Sequence, residues 1–436
     1  MLAVTTRQRL MGGALWSVIA DALTRATAFA VTVLLARLLG VSDYGRLGLL
    51  QTTLQAFSVF ATLGLGLTST RFIACYKVGE PQRAGRVALL ALLIGVSFSA
   101  LATLALWVSA GPLAAIFLEL PELALHLRLI APALVFIGLG GICRAILQGL
   151  ETFRVIAWLE LTVGLCSLTL LVPLVRHLGL TGAVLALVAT EVLRALLYAS
   201  LTARALTRAK IPMGLRGCRG ELRVLWRFSL PTALAHALHI PVLWICQSVI
   251  AHQPNGTAAL GAFFAAQRWL TLVTSLPLAA SAAFLPLLSQ RANRLGARLT
   301  WQLAAIQFSV TIIPAVAVFA AIPSLMPLFG KGFANADAND AVRVLMLLAP
   351  GLVVSGVIWQ DLVGRGIAWT LLSTTTLWAL TMYLTTWLLR DAGALALACA
   401  MLAGYGVQLL ANTLIVLILQ WSSSTAFRSV RNDKLL

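Results

Sequence analysis

The chain has 436 residues, of which 60% are hydrophobic and only 11% are charged, and its mean hydropathy is +0.94. Soluble domains are about 45–50% apolar and about 25% charged, so this composition excludes a soluble globular protein. The formal net charge of +18 would suit a nucleic-acid partner, but the placement of the basic residues indicates membrane topology instead, and no nucleic-acid partner is expected.

Twelve apolar stretches follow one another along the chain with short polar joints between them. A helix needs about 20 apolar residues to cross the hydrocarbon layer, and each stretch meets that length. The predicted spans are 10–36, 46–69, 87–109, 126–148, 157–176, 181–203, 228–250, 258–283, 302–322, 340–362, 368–389 and 393–419. The sequence therefore predicts an all-α polytopic membrane protein, with about twelve transmembrane helices in two six-helix halves around a central cavity.

The first span resembles a signal peptide because it follows Arg7 and Arg9. It is too long for the apolar region of a signal peptide, and it contains Asp21 and Arg25. We therefore expect it to be retained as a membrane helix.

Basic residues are sorted between alternate joints of the chain. The joints 71–86, 204–227 and 291–298 are rich in Lys and Arg, whereas 37–46 and 252–256 are poor in them. Positively charged joints stay in the cytoplasm. The sorting therefore predicts that both termini are cytoplasmic.

The long basic joint divides the chain into an N-terminal half (1–205), a linker (206–227) and a C-terminal half (228–436). A short internal repeat supports this division, since Gly45 precedes Gln51 in the second span and Gly261 precedes Gln267 in the eighth, both by six residues. With six helices each, both halves start from the same side of the membrane. Such parallel repeats are a common plan of transporters.

Three segments carry a resemblance to a known family. These are ARLLGVSDYGRLGLLQTTLQAF (36–57) with LGLGLTSTR (63–71), LPLAASAAFLPLLSQ (276–290) and LFGKGF (328–333). The chain resembles the O-antigen and polysaccharide flippases of the multidrug/oligosaccharidyl-lipid/polysaccharide superfamily. The resemblance implies a V-shaped bundle in the bacterial inner membrane that moves undecaprenyl-diphosphate-linked glycans to the periplasmic leaflet, surrounded by membrane lipid and working beside polysaccharide-assembly proteins.

Two arginines inside predicted spans, Arg25 and Arg268, are the leading candidates to bind the diphosphate. Guanidinium groups match phosphate oxygens in pairs of donors, and a charge inside a membrane helix usually faces a cavity or a partner. Gln51 and Gln267 are candidates to hydrogen-bond sugar hydroxyls. Structural alternatives stay open, because glutamines also join helices to one another.

Ion pairs within one helix are the main structural alternative for the charged residues. Asp21 and Arg25 are four residues apart, and Glu191 and Arg194 are three apart, so each pair can neutralise itself. Arg268 has no acidic residue within a helical turn, which makes it the clearest candidate for a functional role.

Four residues are candidates for coupling transport to an ion: Asp21, Glu160, His236 and His239. The two histidines share a face of the seventh span and titrate near neutral pH. Hydrogen bonds between helices are an equally good explanation for Glu160 and the histidines.

Other classes of function have weaker support. The sequence has no nucleotide-binding, zinc-protease or serine-nucleophile motif. The six cysteines are scattered without metal-ligand spacing. We therefore expect no cofactor and no enzymatic activity. A drug/cation antiporter of the same superfamily is one alternative, kept open by Asp21 and Glu160. An enzyme acting on polyprenyl-linked glycans is the other.

Overall fold

The computed structural model describes residues 2–62, 65–214, 238–282, 294–364 and 368–432. Within these ranges every regular element is a helix. The predicted all-α membrane class is therefore confirmed, and the described part of each predicted span is helical at nearly all its residues.

Among the described residues, the N-terminal part of the chain contains six α-helices. They are α1 (Leu2–Thr62), α2 (Leu65–Tyr76), α3 (Pro81–Pro112), α4 (Leu123–Ile130), α5 (Ala133–Gly149) and α6 (Phe153–Arg208). A π-helical turn, Leu113–Phe117, follows α3. The fourth predicted span is divided between α4 and α5 at Ala131 and Pro132, where proline supplies no backbone N–H.

The described residues of the C-terminal part form six more. They are α7 (His239–Ala251), α8 (Gly256–Ala282), α9 (Arg294–Leu325), α10 (Ala336–Gly364), α11 (Ala368–Leu388) and α12 (Ala394–Asn432). Asp337 of α10 fixes the start of α12, because its carboxylate accepts hydrogen bonds from the backbone N–H groups of Ala394 (3.2 Å) and Leu395 (3.3 Å).

Two glycines divide the longest helices. Gly40 in α1 (φ 76°) and Gly179 in α6 (φ 55°) have non-helical backbone angles, in a region that glycine adopts without steric cost. Each long helix therefore contains two predicted spans. Between those spans the helix is interrupted only by the kink at its glycine, where a polar joint was expected.

Seven helices among the described residues are long and apolar enough to cross a membrane. They are Arg25–Val59, Pro81–Phe117, Leu123–Gly149, Phe153–Arg208, Leu299–Phe329, Ala336–Val363 and Ala394–Leu419. The first and fourth of these contain the kinks at Gly40 and Gly179. With those divisions, and with α7, α8 and α11, the described helices match the twelve predicted spans.

The described chain forms two compact units, residues 1–244 and 245–436. Unit 1 contains a buried apolar cluster that joins four helices, through Ile73 of α2, Ala88 of α3, Ile146 of α5 and Leu206 of α6. Unit 2 contains a similar cluster that joins three helices, through Ile358 of α10, Leu371 of α11 and Val416 of α12.

Small residues allow the helices of unit 1 to approach closely. A Cβ at Gly138 of α5 would overlap the Ser99 side chain of α3, and a Cβ at Gly164 of α6 would lie 2.8 Å from Thr27 of α1. Close packing of this kind stabilises helices in lipid, where the hydrophobic effect does not. The predicted division into halves joined by 206–227 stays a prediction, because 215–237 lie outside the described residues.

Candidate functional site

The kink at Gly179 folds α6 back on itself, so that two residues far apart in sequence meet. The hydroxyl of Tyr198 donates a hydrogen bond of 2.6 Å to Oε1 of Glu160. A tight turn makes this possible, since a Cβ at Gly182 would overlap the backbone carbonyl of Leu174. The fifth and sixth predicted spans therefore face each other at Glu160.

Glu160 is the centre of a charged cluster inside unit 1. Its side chain is only 4% exposed, and it lies 3.6 Å from Nη1 of Arg144 and 3.7 Å from Nε of Arg194. These two distances exceed the range of a hydrogen bond, about 2.7–3.2 Å for N–H···O. The carboxylate is thus held by the tyrosine and only loosely paired with the arginines.

Glu191 completes what we call the Glu160 cluster: Arg144, Glu160, Glu191, Arg194 and Tyr198. The predicted ion pair between Glu191 and Arg194 is confirmed, with 2.5 Å between Arg194 Nη1 and Glu191 Oε1. Two guanidinium groups balance two carboxylates, so the cluster is neutral overall when all four are charged. Pairing of this kind lowers the cost of charge within a membrane.

Arg144 and Tyr198 were not singled out by sequence reasoning. An arginine four residues before the end of the predicted span 126–148 was a usable signal. Asp361 was also missed. It lies inside the tenth predicted span and is only 4% exposed on α10, and an acid within a span indicates a partner or a function.

Arg268 lies near the middle of α8, twelve residues after Gly256 and fourteen before Ala282. At 1.5 Å per residue these separations are about 18 Å and about 21 Å. Snorkelling belongs to arginines near helix ends. In the predicted eighth span, 258–283, Arg268 lies near the middle of a helix that is expected to cross a hydrocarbon layer about 30 Å thick.

The side chain of Arg268 lies on the less buried face of α8. Gln267 and Arg268 are partly buried and Thr271 is exposed, whereas the residues from Leu260 to Ala266 are buried. No hydrogen bond or ion pair joins Arg268 to another described residue. Next to it in the chain, Trp269 is buried and packs edge-on against Phe329, with ring centroids 6.1 Å apart.

The structure places the other predicted site residues as follows. Arg25 and Gln51 are partly buried on α1, and Arg25 takes part in a non-covalent interaction. His239 is partly buried at the start of α7 and also has an interaction partner. His236 and the side chain of Asp21 lie outside the described residues.

Near Gln51, α7 is joined to α1. The indole Nε1 of Trp244 donates a hydrogen bond of 2.8 Å to Oγ1 of Thr53, and the Trp244 ring lies 6.1 Å from that of Phe117. Thr53 is fully buried. This hydrogen bond holds Trp244, in the second half of the predicted span 228–250, against α1 within unit 1.

Among the described residues, no group of three or more His, Cys, Asp or Glu side chains could hold a metal ion. The five cysteines within the described ranges, Cys75, Cys143, Cys166, Cys246 and Cys399, are free thiols.

The fold is similar to that of multidrug transporters. The eukaryotic MATE transporter AtDTX14 superimposes with a TM-score of 0.71 at 15% identity, covering 97% of this chain and 99% of the other. An inward-facing multidrug resistance MATE family transporter of the MOP superfamily gives a TM-score of 0.70 at 17% identity, covering 94% and 99%. Identities this low show the fold alone.

Sequence comparison points to polysaccharides. The inner membrane protein EpsE of Ralstonia nicotianae, an EPS I polysaccharide export protein, is 26% identical over 271 residues, which are 61% of this chain. The match spans only 60% of that relative's length. The family model described as polysaccharide biosynthesis protein matches residues 10–291, well over half of the chain. The chain therefore belongs to the polysaccharide biosynthesis protein family.

Proposed function

We propose that the protein translocates polyprenyl-diphosphate-linked oligosaccharide from the cytoplasmic to the periplasmic leaflet of the bacterial inner membrane by alternating access of its two halves. The observation that carries this proposal is Arg268, an arginine at mid-span without a partner among the described residues. An isolated charge at that depth costs several kcal/mol unless it faces water or a ligand. Membership of a polysaccharide family supports a glycan-bearing ligand.

The chemistry of the substrate fits a guanidinium at mid-span. A diphosphate needs positive charge and hydrogen-bond donors when it leaves the headgroup region, because desolvated charge is costly. Arginine offers paired donors of matching geometry and keeps its charge when buried. Arg25, partly buried on α1, is proposed as the second ligand of the diphosphate.

Glutamines on matching repeat positions are proposed to bind the sugar. Gln51 and Gln267 are both partly buried, so neither side chain is fully enclosed by protein. An amide donates two hydrogen bonds and accepts two, which suits the mixed donors and acceptors of sugar hydroxyls.

The drug/cation antiporter is the second candidate, favoured by the likeness in fold to MATE transporters. Such a protein needs a carboxylate that a cation can reach. Glu160 is 4% exposed and lies within 3.7 Å of two arginines, so a cation there would compete with both guanidinium groups. This geometry supports an anionic substrate instead. The matched relative is an export protein, and the matched structures are transporters. These comparisons give no support to the hypothesis of an enzyme.

Ion coupling through Asp21, Glu160, His236 or His239 stays a prediction. The polysaccharide-assembly proteins expected as partners are likewise part of the proposal.

Translocation is tested with the full chain in liposomes that contain a fluorescent polyprenyl-diphosphate oligosaccharide. A membrane-impermeant glycosidase removes the outer pool, and further cleavage then reports flipping. We expect cleavage to continue in protein-containing liposomes and to stop at the outer pool in protein-free ones. Equal cleavage in both would contradict a flippase, and uptake of a cationic dye in place of flipping would favour the antiporter.

The face of α8 that carries Arg268 is expected to meet water. In a variant without the native cysteines, Thr271→Cys should react with a water-soluble thiol reagent, because Thr271 is exposed one turn from Gln267. Leu380→Cys is the matched control, since Leu380 is 63% exposed at mid-helix on α11 and should face lipid. Labelling of Leu380→Cys and protection of Thr271→Cys would show that the Arg268 face of α8 does not meet water.

Both termini are proposed to be cytoplasmic. Lys331→Cys, exposed between α9 and α10, should be labelled by an impermeant thiol reagent added to intact cells. Arg208→Cys, exposed at the end of α6, should be labelled only after the membrane is permeabilised. The opposite pattern would overturn the orientation.

A further inference from the structure

The geometry points to a second anion site in unit 1, formed by Arg144 and Arg194, that takes a phosphate-bearing group. The inference rests on the proposed function, because it names a place where the diphosphate is held before it reaches Arg268. Glu160 acts there as the counter-charge of the two arginines.

The donors of both arginines are largely unused. A guanidinium has five N–H donors, yet Arg144 forms no hydrogen bond with any described residue and has only the 3.6 Å ion pair with Glu160. In the described part of the chain, the Nε atoms of Arg144 and Arg194 are both buried without a hydrogen-bond partner. Buried donors are satisfied in nearly all native proteins. Both Nε atoms are closed to a ligand, whereas the terminal nitrogens of Arg144 and Nη2 of Arg194 are neither buried nor hydrogen-bonded to a described residue, so these are the donors that a ligand can take.

A ligand can reach the arginines but not the carboxylate between them. The side chains of Arg144 and Arg194 are 42% and 33% exposed, whereas Glu160 is 4% exposed. Phosphate oxygens accept paired N–H donors from arginine at about 2.7–2.9 Å. The accessible chemistry of the cluster is thus that of an anion site.

Glu160 keeps the empty site neutral without blocking it. The Tyr198 hydroxyl holds the carboxylate at 2.6 Å, while the contacts to the arginines are too long for hydrogen bonds. A phosphate oxygen can therefore take the unused donors while Glu160 keeps its hydrogen bond to Tyr198. Glu160 and Glu191 stay beside the arginines and repel the bound phosphate. Binding is therefore weak enough for the ligand to dissociate and reach Arg268.

The Glu160 cluster lies near one end of the helices. Arg144 is five residues before the end of α5, and Glu160 is seven residues after the start of α6, which is about 8–10 Å along a helix. With the proposed orientation this is the cytoplasmic end. A diphosphate of the cytoplasmic leaflet would meet this site first and the mid-span Arg268 later.

Binding to the full-length chain tests the site, with Arg268→Ala as the background so that the mid-span arginine does not contribute. The probes are inorganic pyrophosphate and undecaprenyl diphosphate, and undecaprenol without phosphate is the negative control. Arg144→Gln should weaken diphosphate binding roughly ten-fold or more, since it removes charge-assisted hydrogen bonds. Arg144→Lys should retain part of the affinity. Glu160→Gln should tighten binding, because it removes a negative charge and keeps an acceptor for Tyr198.

Arg204→Gln is the matched charge control, because Arg204 is exposed near the end of the same helix as Arg194, outside the cluster, and should bind as the background does. Binding of both diphosphate probes indicates that the diphosphate alone is recognised, and binding of the lipid probe alone indicates a lipid headgroup. Unchanged binding in Arg144→Gln, or an equal loss in Arg204→Gln, would overturn the site. Because Arg268 is absent throughout, these outcomes are independent of whether Arg268 supports translocation.

Discussion

Replacement of Arg268 by alanine is expected to abolish glycan export while the amount of protein in the membrane stays near normal. Two charge-assisted hydrogen bonds, each worth about 1.5–3 kcal/mol, would be lost, so the flipping rate should fall roughly 100-fold or more. Arg268→Lys should restore export only in part, since an ammonium keeps the charge but lacks the planar pair of donors. The liposome assay and quantitative immunoblotting of membranes measure the two quantities.

Arg343→Ala is the matched control for Arg268→Ala. Arg343 is exposed on α10 and pairs with Asp340 at 2.6 Å, and exposed pairs contribute little to stability. It should export normally. Normal export by Arg268→Ala would show that the arginine only packs at the helix surface. Loss of export together with loss of protein would show that Arg268 stabilises the fold.

Replacement of Gly182 by alanine is expected to destabilise unit 1 strongly. A Cβ at this position would overlap the carbonyl oxygen of Leu174 and lie 3.0 Å from the backbone nitrogen of Val175. Backbone atoms cannot rotate away as a side chain can, so the turn after Gly179 must open, at a cost of about 1–3 kcal/mol or more. We expect lower yield and a lower midpoint of thermal unfolding for the purified protein, and Gly182→Val should be worse.

Gly141→Ala provides the control for this glycine. Gly141 lies in α5, and no atom lies within 4 Å of a Cβ built there. Alanine favours a helix over glycine by up to about 1 kcal/mol, so Gly141→Ala should be neutral or slightly stabilising. If both variants unfolded at the same temperature, the close approach at Gly182 would not limit stability. A further consequence is that Gly182→Ala should impair export, because the same turn places Tyr198 against Glu160.

The membrane spans were predictable because a bilayer selects apolar helices of a fixed length. The residues at which the helices end were harder to predict. α6 continues to Arg208 and α12 to Asn432, beyond the predicted ends at 203 and 419, because backbone hydrogen bonds extend a helix into polar sequence. The joint expected around 37–46 is helical except at Gly40, where one glycine is sufficient to bend the chain.

The sequence singled out Glu160 but did not show which residues it contacts. Arg144 lies on α5, and Tyr198 lies 38 residues further along the chain, so neither falls within a helical turn of Glu160. Arg268 is different, because its isolation is visible in the sequence itself: no acid lies near it on α8. An isolated charge is a local property, whereas a partner across helices depends on packing.

Composition, apolar length and the sorting of basic residues determined that this chain is an all-α membrane protein with about twelve spans. Those features report the contact of each segment with lipid and water, which depends on local sequence. The tertiary structure decided that Gly179 and Gly182 fold α6 back tightly enough to bring Tyr198 to Glu160. It also decided that Arg144 and Arg194 both approach this carboxylate and keep N–H donors that form no hydrogen bond. Such contacts form between residues distant in sequence, because close packing of helices in lipid brings them together.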